Sequence, residues 1–178
     1  MVPELTEIQT DALMEMINIG MGKAARVLSE MVQAQVSLQV PAVQVLTPAQ
    51  ASQELLRMDQ GRVSAVVLGY KGLLSGNSLL CFPPASAAKL ANILIGDEDS
   101  GLGLDALKMA TLTEVGNIML NGVVGSVSNL LDTYLQFMVP FYEEGPAHQL
   151  LGSHLSNKAE VVVIAETSLD IKALQIRG

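Results

Sequence analysis

The sequence predicts a single domain of the α/β class, residues 1–178, in which two long helices pack against a β-sheet. Apolar residues recur with helical spacing over residues 6–33 and again over 104–131. Alternating, β-branched stretches follow the first long helix and return later in the chain, as half-buried strands require. A chain of 178 residues has the length of one ordinary domain and can bury about 70% of its unfolded surface.

The first long helix is followed by a predicted strand and a short helix. Alternation over residues 34–46 places Val36, Leu38 and Val40 on one face of the strand. A threonine followed by a proline opens the next segment, and this pair is typical of a helix N-terminus. We therefore expect a short helix over residues 47–58.

Two more strands and a third helix complete the first half. Residues 62–72 and 77–83 read as strands joined through a glycine-rich turn over 69–76. A proline begins and a glycine ends the helix predicted over 84–95. The acidic, glycine-rich stretch after it is the expected connection to the second half.

The second half repeats the first at an offset of 99 residues, and it starts with Asp105 as the expected helix cap. Four residues of the first helix and one proline coincide with identical residues: Glu15, Asn18, Ile19, Ser29 and Pro41 with Glu114, Asn117, Ile118, Ser128 and Pro140. The strand pair returns near the same offset. We therefore predict an internal duplication with pseudo-twofold symmetry, roughly residues 5–96 and 104–178.

Composition excludes several classes of protein. The net charge of −8 argues against nucleic-acid binding, which rewards clustered Lys and Arg. No apolar run reaches the roughly 18 residues of a membrane span, and the acidic N-terminal stretch does not resemble a secretory signal. A lone Cys81 cannot form an internal disulfide, so we expect a cytoplasmic protein.

A polar stripe along the first helix is the candidate functional feature. Asp11, Glu15, Asn18 and Gly22 fall at successive turns of one face. Glu114, Asn117 and Asn121 form a similar stripe in the second helix. A solvated helix face would account for either stripe alone, but such a face has no need of the same Glu-x-x-Asn twice.

A carboxamide beside a carboxylate suits the positioning of a water molecule. The amide of Asn donates and accepts hydrogen bonds without titrating, and a nearby Glu can pair with a cation on a substrate. Gly20 and Gly22 have two interpretations. They keep the surface beside Asn18 low for a partner, or they allow the two long helices to pack closely.

These motifs resemble the paired signature helices of the CheC/CheX/FliY family of chemotaxis phosphatases. In that signature an Asp or Ser is followed by a Glu four residues later, an Asn three residues after it, and a downstream Pro. The first copy matches with Asp11, Glu15, Asn18 and Pro41. The second matches with Glu114, Asn117 and Pro140 but has Ala110 in place of the Asp or Ser. The resemblance covers essentially the whole chain.

The resemblance implies a CheC-like fold and a specific activity, hydrolysis of the phospho-aspartate of a CheY-type response regulator. Asn18 and Asn117 would orient the attacking water, and Glu15 and Glu114 would bind the lysine of the receiver. The Mg²⁺ at the reaction centre would belong to the receiver, so this chain would need no cofactor or metal of its own. Some members of the family bind the receptor deamidase CheD, which is a second implied partner.

The sequence also allows several alternatives to a receiver phosphatase. The rival is a non-catalytic docking protein, either a FliM-like switch module or a CheD-binding adaptor; the two Glu-x-x-Asn pairs favour an enzyme. The Gly20–Ala25 segment matches a loose dinucleotide-binding pattern, but helical residues precede it where that site requires a strand. His148 and His154 lack the further ligands of a metal site. Because the side chain of Ala110 accepts no hydrogen bond, we expect the first site to be stronger. We also expect Asn18→Ala to leave the helix intact, since Ala is the better helix former.

Overall fold

The computed structural model describes residues 5–58, 62–96, 105–154, 161–171 and 176–177. The helices are α1 (Glu7–Val32), α2 (Pro48–Met58), α3 (Pro84–Ile95), α4 (Ala106–Leu130) and α5 (Ala147–His154). The strands are β1 (Val36–Leu46), β2 (Arg62–Gly72), β3 (Gly76–Phe82), β4 (Leu135–Phe137), β5 (Phe141–Pro146), β6 (Val162–Ile171) and β7 (Ile176–Arg177). No helix within these ranges has the length and apolar character needed to cross a membrane. The mixed α/β class predicted from the sequence is confirmed.

Local sequence signals explain where the helices begin and end. Thr6 caps α1 through a reciprocal pair of hydrogen bonds with Gln9. Asp105 accepts a hydrogen bond from the backbone N–H of Lys108 at 2.9 Å and caps α4, as its position predicted. At the end of α3, Gly96 adopts a left-handed conformation with φ 71°, which glycine reaches without steric cost. The predicted boundaries of these helices are confirmed.

The strands form two antiparallel sheets, and each sheet joins the first half of the chain to the second. In one sheet the order is β1-β6-β7; in the other β2 lies between β3 and the interrupted pair β4 and β5. Thus β1 pairs with a strand more than 100 residues later, and β2 pairs with the segment that follows α4. Each sheet therefore contains strands from both halves of the chain.

Elements recur at the predicted offset of 99 residues. Helices α1 and α4 begin at Glu7 and Ala106, and α2 and α5 begin at Pro48 and Ala147. The interrupted segment β4–β5 occupies the positions that correspond to β1, and β6 those that correspond to β2. This agreement supports the duplication, while the pseudo-twofold relation between the copies stays a prediction.

The turn between β2 and β3 is shorter than predicted. The glycine-rich turn was expected over residues 69–76, but β2 continues through Gly72 and only residues 73–75 form the connection. Gly69 lies in β2, where it pairs with Asn77, and a side chain there would meet the sulfur of Met138 at 2.6 Å. Its glycine marks close packing rather than a turn. The acidic connection predicted after α3 lies outside the described residues.

The main hydrophobic core lies where α1, α3 and α4 meet the sheet of β1 and β6. It contains Val36, Leu38 and Val40, which confirms the predicted inner face of β1. Strand β2 is buried along residues 64–69, and α4 lies close against it. A side chain in place of Gly116 would meet Val66 at 2.5 Å. The second motif therefore lies on a helix that packs closely against β2.

Helices α1 and α4 cross at two glycines. A Cβ added to Gly20 would lie 2.6 Å from the carbonyl oxygen of Gly122 and from the Cα of Val123. A Cβ on Gly122 would in turn lie 2.8 Å from the carbonyl oxygen of Gly20. Gly22, by contrast, has open space around it. The two interpretations of these glycines thus separate: Gly20 serves helix packing, and Gly22 leaves a low surface one turn from Asn18.

Substitution of the two glycines is expected to have opposite effects on stability. Gly20→Ala places a methyl group against the backbone of α4, which cannot move away as a flexible side chain would, so unfolding free energy should fall by about 1–3 kcal/mol. Gly22→Ala meets no atom and gains helix propensity, so stability should rise by about 0.5–1 kcal/mol.

Chemical denaturation of both variants beside the parent protein measures the difference. The Gly22→Ala protein is the matched control, because it carries the same chemical change on the same helix. A Gly20→Ala protein as stable as Gly22→Ala would contradict the close crossing.

Candidate functional site

The first Glu-x-x-Asn motif lies on the middle of α1. Asp11 and Glu15 are exposed, and Asn18 is half-buried. Helical spacing places the three residues on one side of the helix, one turn apart. The predicted stripe is therefore present, with its carboxylates free to meet a partner and its amide closer to the protein.

The Asn18 side chain is bound to the backbone of β1. Its Oδ1 accepts a hydrogen bond from the Val40 N–H at 3.0 Å, and its Nδ2 donates to the Val40 carbonyl at 3.5 Å. A neighbouring strand would make the same two bonds. Because a backbone N–H only donates, the orientation of the carboxamide is fixed by chemistry. Asn18 keeps one N–H and one lone pair for other partners.

Pro41 explains why β1 needs this contact. The pairing of β1 with β6 shifts between Gln39 and Ala42, so Val40 and Pro41 together face a single residue of β6. Such a bulge interrupts the ladder, and proline cannot donate to it. The downstream proline of the motif thus marks the irregular point of the strand at which Asn18 binds, although it is exposed itself.

The second motif occupies α4 in the same way but has different neighbours. Glu114 is exposed and Asn117 is half-buried, as in the first copy. Ala110 is exposed and contributes no polar group where Asp11 stands in the first copy. In the part of the chain that the structure describes, no bond joins the Asn117 side chain to the strand that follows α4.

That strand is broken instead of bulged. Residues 138–140 separate β4 from β5, and the break includes Pro140. Val139, which corresponds to Val40, is 85% exposed, whereas Val40 is 3% exposed. The residue before the second proline is therefore exposed, whereas its counterpart in β1 is buried.

Asn117 is bound by Asn121, one turn later on the same helix. The Nδ2 of Asn121 donates to the Asn117 carbonyl at 2.9 Å and also to the Asn117 Oδ1. Gly22 takes the place of Asn121 in the first copy. The two copies therefore hold the same carboxamide oxygen with different donors, the backbone of β1 in one and a neighbouring amide in the other.

The chemistry open to this surface is binding and orientation rather than covalent catalysis. Burial raises the pKa of the Cys81 thiol to about 11, although the residue as a whole remains exposed, so the thiol stays protonated at neutral pH. His154 binds Glu143 at 2.7 Å in a pair away from both motifs. Among the described residues, no group of three His, Cys, Asp or Glu could hold a metal ion.

Two contacts of the site were not anticipated from the sequence. The bond between Asn18 and Val40 joins residues 22 positions apart, and no local pattern signals it. Asn121 was recognised as part of the polar stripe, but its bond to Asn117 was not. The spacing of four residues in a helix is the signal that could have found it.

Comparison with known proteins gives a consistent family. A model of the CheC-like family matches residues 8–45, the segment with the first motif and its proline. The CheY-P phosphatase CheC of Bacillus subtilis is 25% identical over 174 residues, which cover 93% of this chain and 81% of that protein. The flagellar motor switch phosphatase FliY of the same organism is 26% identical over 144 residues, or 80% of this chain. This chain matches only 37% of the length of that FliY.

Solved structures show the same fold. Thermotoga maritima FliY superposes with a TM-score of 0.79 at 24% identity, covering 100% of this chain and 89% of that one. FliM in the FliG–FliM complex of H. pylori gives a TM-score of 0.69 at 14% identity, covering 98% of this chain and 91% of that one. The motifs on α1 and α4, the family match and these relatives lead to one conclusion: the chain is similar to CheC and FliY proteins in sequence and shares their fold.

Proposed function

We propose that this protein is a phosphatase that hydrolyses the aspartyl phosphate of a CheY-type response regulator in chemotaxis signalling. The observation that carries the proposal is the repeated Glu-x-x-Asn, in which each copy presents an exposed carboxylate beside a carboxamide held by its oxygen. The CheC and FliY relatives, which are named as phosphatases, support the same class of activity.

In this proposal Asn18 and Asn117 orient the attacking water. The water oxygen forms a bond to phosphorus while the bond from phosphorus to the aspartyl oxygen breaks. The aspartate leaves as a carboxylate, and the proton of the water ends on the released phosphate. An amide that is already fixed loses little freedom when it meets water, which suits a reaction that depends on orientation.

The carboxylates of Glu15 and Glu114 are proposed to bind the lysine of the receiver. Both are exposed, so they can reach a partner without rearrangement. The Mg²⁺ of the reaction is proposed to be held by the receiver, where it neutralises charge on the phosphoryl group. We place this activity in the cytoplasm, where a receiver would meet the protein, and propose CheD as a further partner without assigning it a surface.

A docking function without turnover is the second candidate. The fold is shared with FliM, whose solved structures include complexes with FliG and SpeE. A docking protein would bind a receiver through the same helices and leave its phosphate in place. Turnover separates the two candidates.

Purified protein at substoichiometric amounts should accelerate loss of phosphate from a CheY-type receiver phosphorylated by a small acyl phosphate. Replacing both Glu15 and Glu114 by Ala should raise the KM for the receiver at least about tenfold, because two exposed charge contacts are lost. Unfolding free energy should change by no more than about 0.5 kcal/mol.

Glu30→Ala is the matched control, since Glu30 is exposed on α1 and, among the described residues, forms a surface pair with Arg26 at 3.5 Å. Its KM should equal that of the parent. Protection of the phosphorylated receiver, or an effect that appears only at stoichiometric amounts, would favour the docking candidate.

The bond to Val40 alters what is expected of Asn18→Ala. The sequence alone predicted no loss of stability, because Ala is the better helix former by about 0.5 kcal/mol. Removal of the carboxamide leaves the N–H and carbonyl of a buried residue without these bonds, at a cost of about 1–3 kcal/mol. We now expect a melting temperature lower by about 2–8 °C.

Asn117→Ala is the comparison within the same molecule. Among the described residues, its carboxamide is bound by a neighbouring side chain on its own helix, so the melting temperature should not fall. Thermal unfolding of the two variants, followed by circular dichroism, tests the difference. Equal melting temperatures would mean that the contact with β1 contributes nothing to stability.

A further inference from the structure

Asn121 has a defined orientation relative to Asn117. Its Nδ2 donates to the backbone carbonyl of Asn117 at 2.9 Å. A carbonyl oxygen only accepts, so the nitrogen of Asn121 has to face this direction. The same nitrogen lies against the side chain of Asn117, which must therefore present its Oδ1 there. The Nδ2 of Asn117 is directed to the other side of the carboxamide.

Asn121 is peculiar to the second copy. The equivalent position in the first copy is Gly22, which has open space around it. The first copy obtains its donor from the Val40 N–H, at 3.0 Å from Asn18 Oδ1. Within the described residues, the Asn117 side chain receives no such backbone bond from the strand that follows α4.

We propose that Asn121 is a positioning residue of the second site, which fixes the carboxamide of Asn117 as β1 fixes that of Asn18. The inference rests on the proposed phosphatase function and names the group that makes its second site competent. Asn121 acts through Asn117 and has no role in binding the receiver.

The physical basis is the soft torsion at the end of an asparagine side chain. Rotation about χ2 is broad and roughly two-fold, so an unrestrained carboxamide exchanges its oxygen and nitrogen positions readily. Water oriented by the wrong end would not be aligned with phosphorus. The Asn121 amide donates to both the backbone carbonyl and the side-chain oxygen of Asn117. These two bonds fix the orientation of the Asn117 carboxamide without a contact from the sheet.

The test isolates the second site in an Asn18→Ala protein, assayed below its melting temperature, which lacks the amide proposed to orient water at the first site. In this background Asn121→Ala should lower kcat for receiver dephosphorylation about tenfold, because misorientation of a positioning group reduces the rate. The KM should stay the same, since Asn121 is not proposed to touch the receiver. The melting temperature should not fall, because Ala is the better helix former.

Asn121→Asp provides a second variant of nearly the same shape. A carboxylate accepts but does not donate, so it cannot hold the Asn117 oxygen and should turn the carboxamide around. We expect a loss of kcat at least as large as for Ala. Asn129→Ala is the control: an exposed asparagine near the end of the same helix, replaced in the same way, should leave kcat unchanged.

Nuclear magnetic resonance of the Asn117 side-chain amide gives a readout that does not depend on activity. In the parent the amide should be rigid, and in Asn121→Ala its order parameter should fall below about 0.6, the range of flexible groups. A purely structural role of Asn121 would lower the melting temperature without changing this signal or kcat.

The outcomes separate this inference from the function beneath it. If Asn117→Ala abolishes turnover in the Asn18→Ala background while Asn121→Ala retains full kcat, the inference is wrong and the function stands. A rise in kcat for Asn121→Ala would also overturn it, because Asn121 would then obstruct the site. If the wild-type protein shows no turnover, or Asn117→Ala leaves it unchanged, the proposed role of Asn117 fails and the inference with it.

Discussion

The close backbone contact between α1 and α4 sets the position of the two Glu-x-x-Asn motifs relative to each other. Gly20 and Gly122 allow the two helices to approach until each carbonyl lies where a side chain would otherwise be. Asn18 precedes this crossing by two residues, and Asn121 is adjacent to it. The spacing of the motifs relative to each other is therefore set by the closest point of the helix pair. Lys23 adds one further link across the crossing through a hydrogen bond to Ser126 at 3.3 Å.

The two motifs reach a similar result through different supports. In the first copy the half-buried amide of Asn18 completes the hydrogen bonds of the bulged edge strand β1. The same side chain therefore belongs to the candidate site and stabilises the fold. In the second copy the strand is broken and the amide relies on its own helix. Substitution of Asn18 is therefore expected to lower the stability of the fold, whereas substitution of Asn117 is not.

Much of the fold follows from signals that lie within a few residues of one another. Asp105 identifies a helix start because capping depends only on the residues that follow. The repeat at an offset of 99 residues supplied the candidate motifs, and the resemblance to a family supplied their expected roles. What the sequence did not yield depends on contacts between distant segments. The bond between Asn18 and Val40 needs the strand bulge and the helix position at once. Gly69 lies in β2 through its pairing with Asn77 and packs closely against Met138, which is distant in sequence.

The exchange of strands between the halves also governs how the chain can fold as it is synthesised. Strand β1 emerges from the ribosome early, yet its hydrogen-bonding partner β6 comes more than 100 residues afterwards. Until then one edge of β1 can be satisfied only by solvent, by Asn18 or by another chain. Pairing across such a separation closes a long loop before any contact is gained, which slows folding and exposes strand edges to association. The first half, once synthesised, therefore exposes an unpaired strand edge until the second half pairs with it.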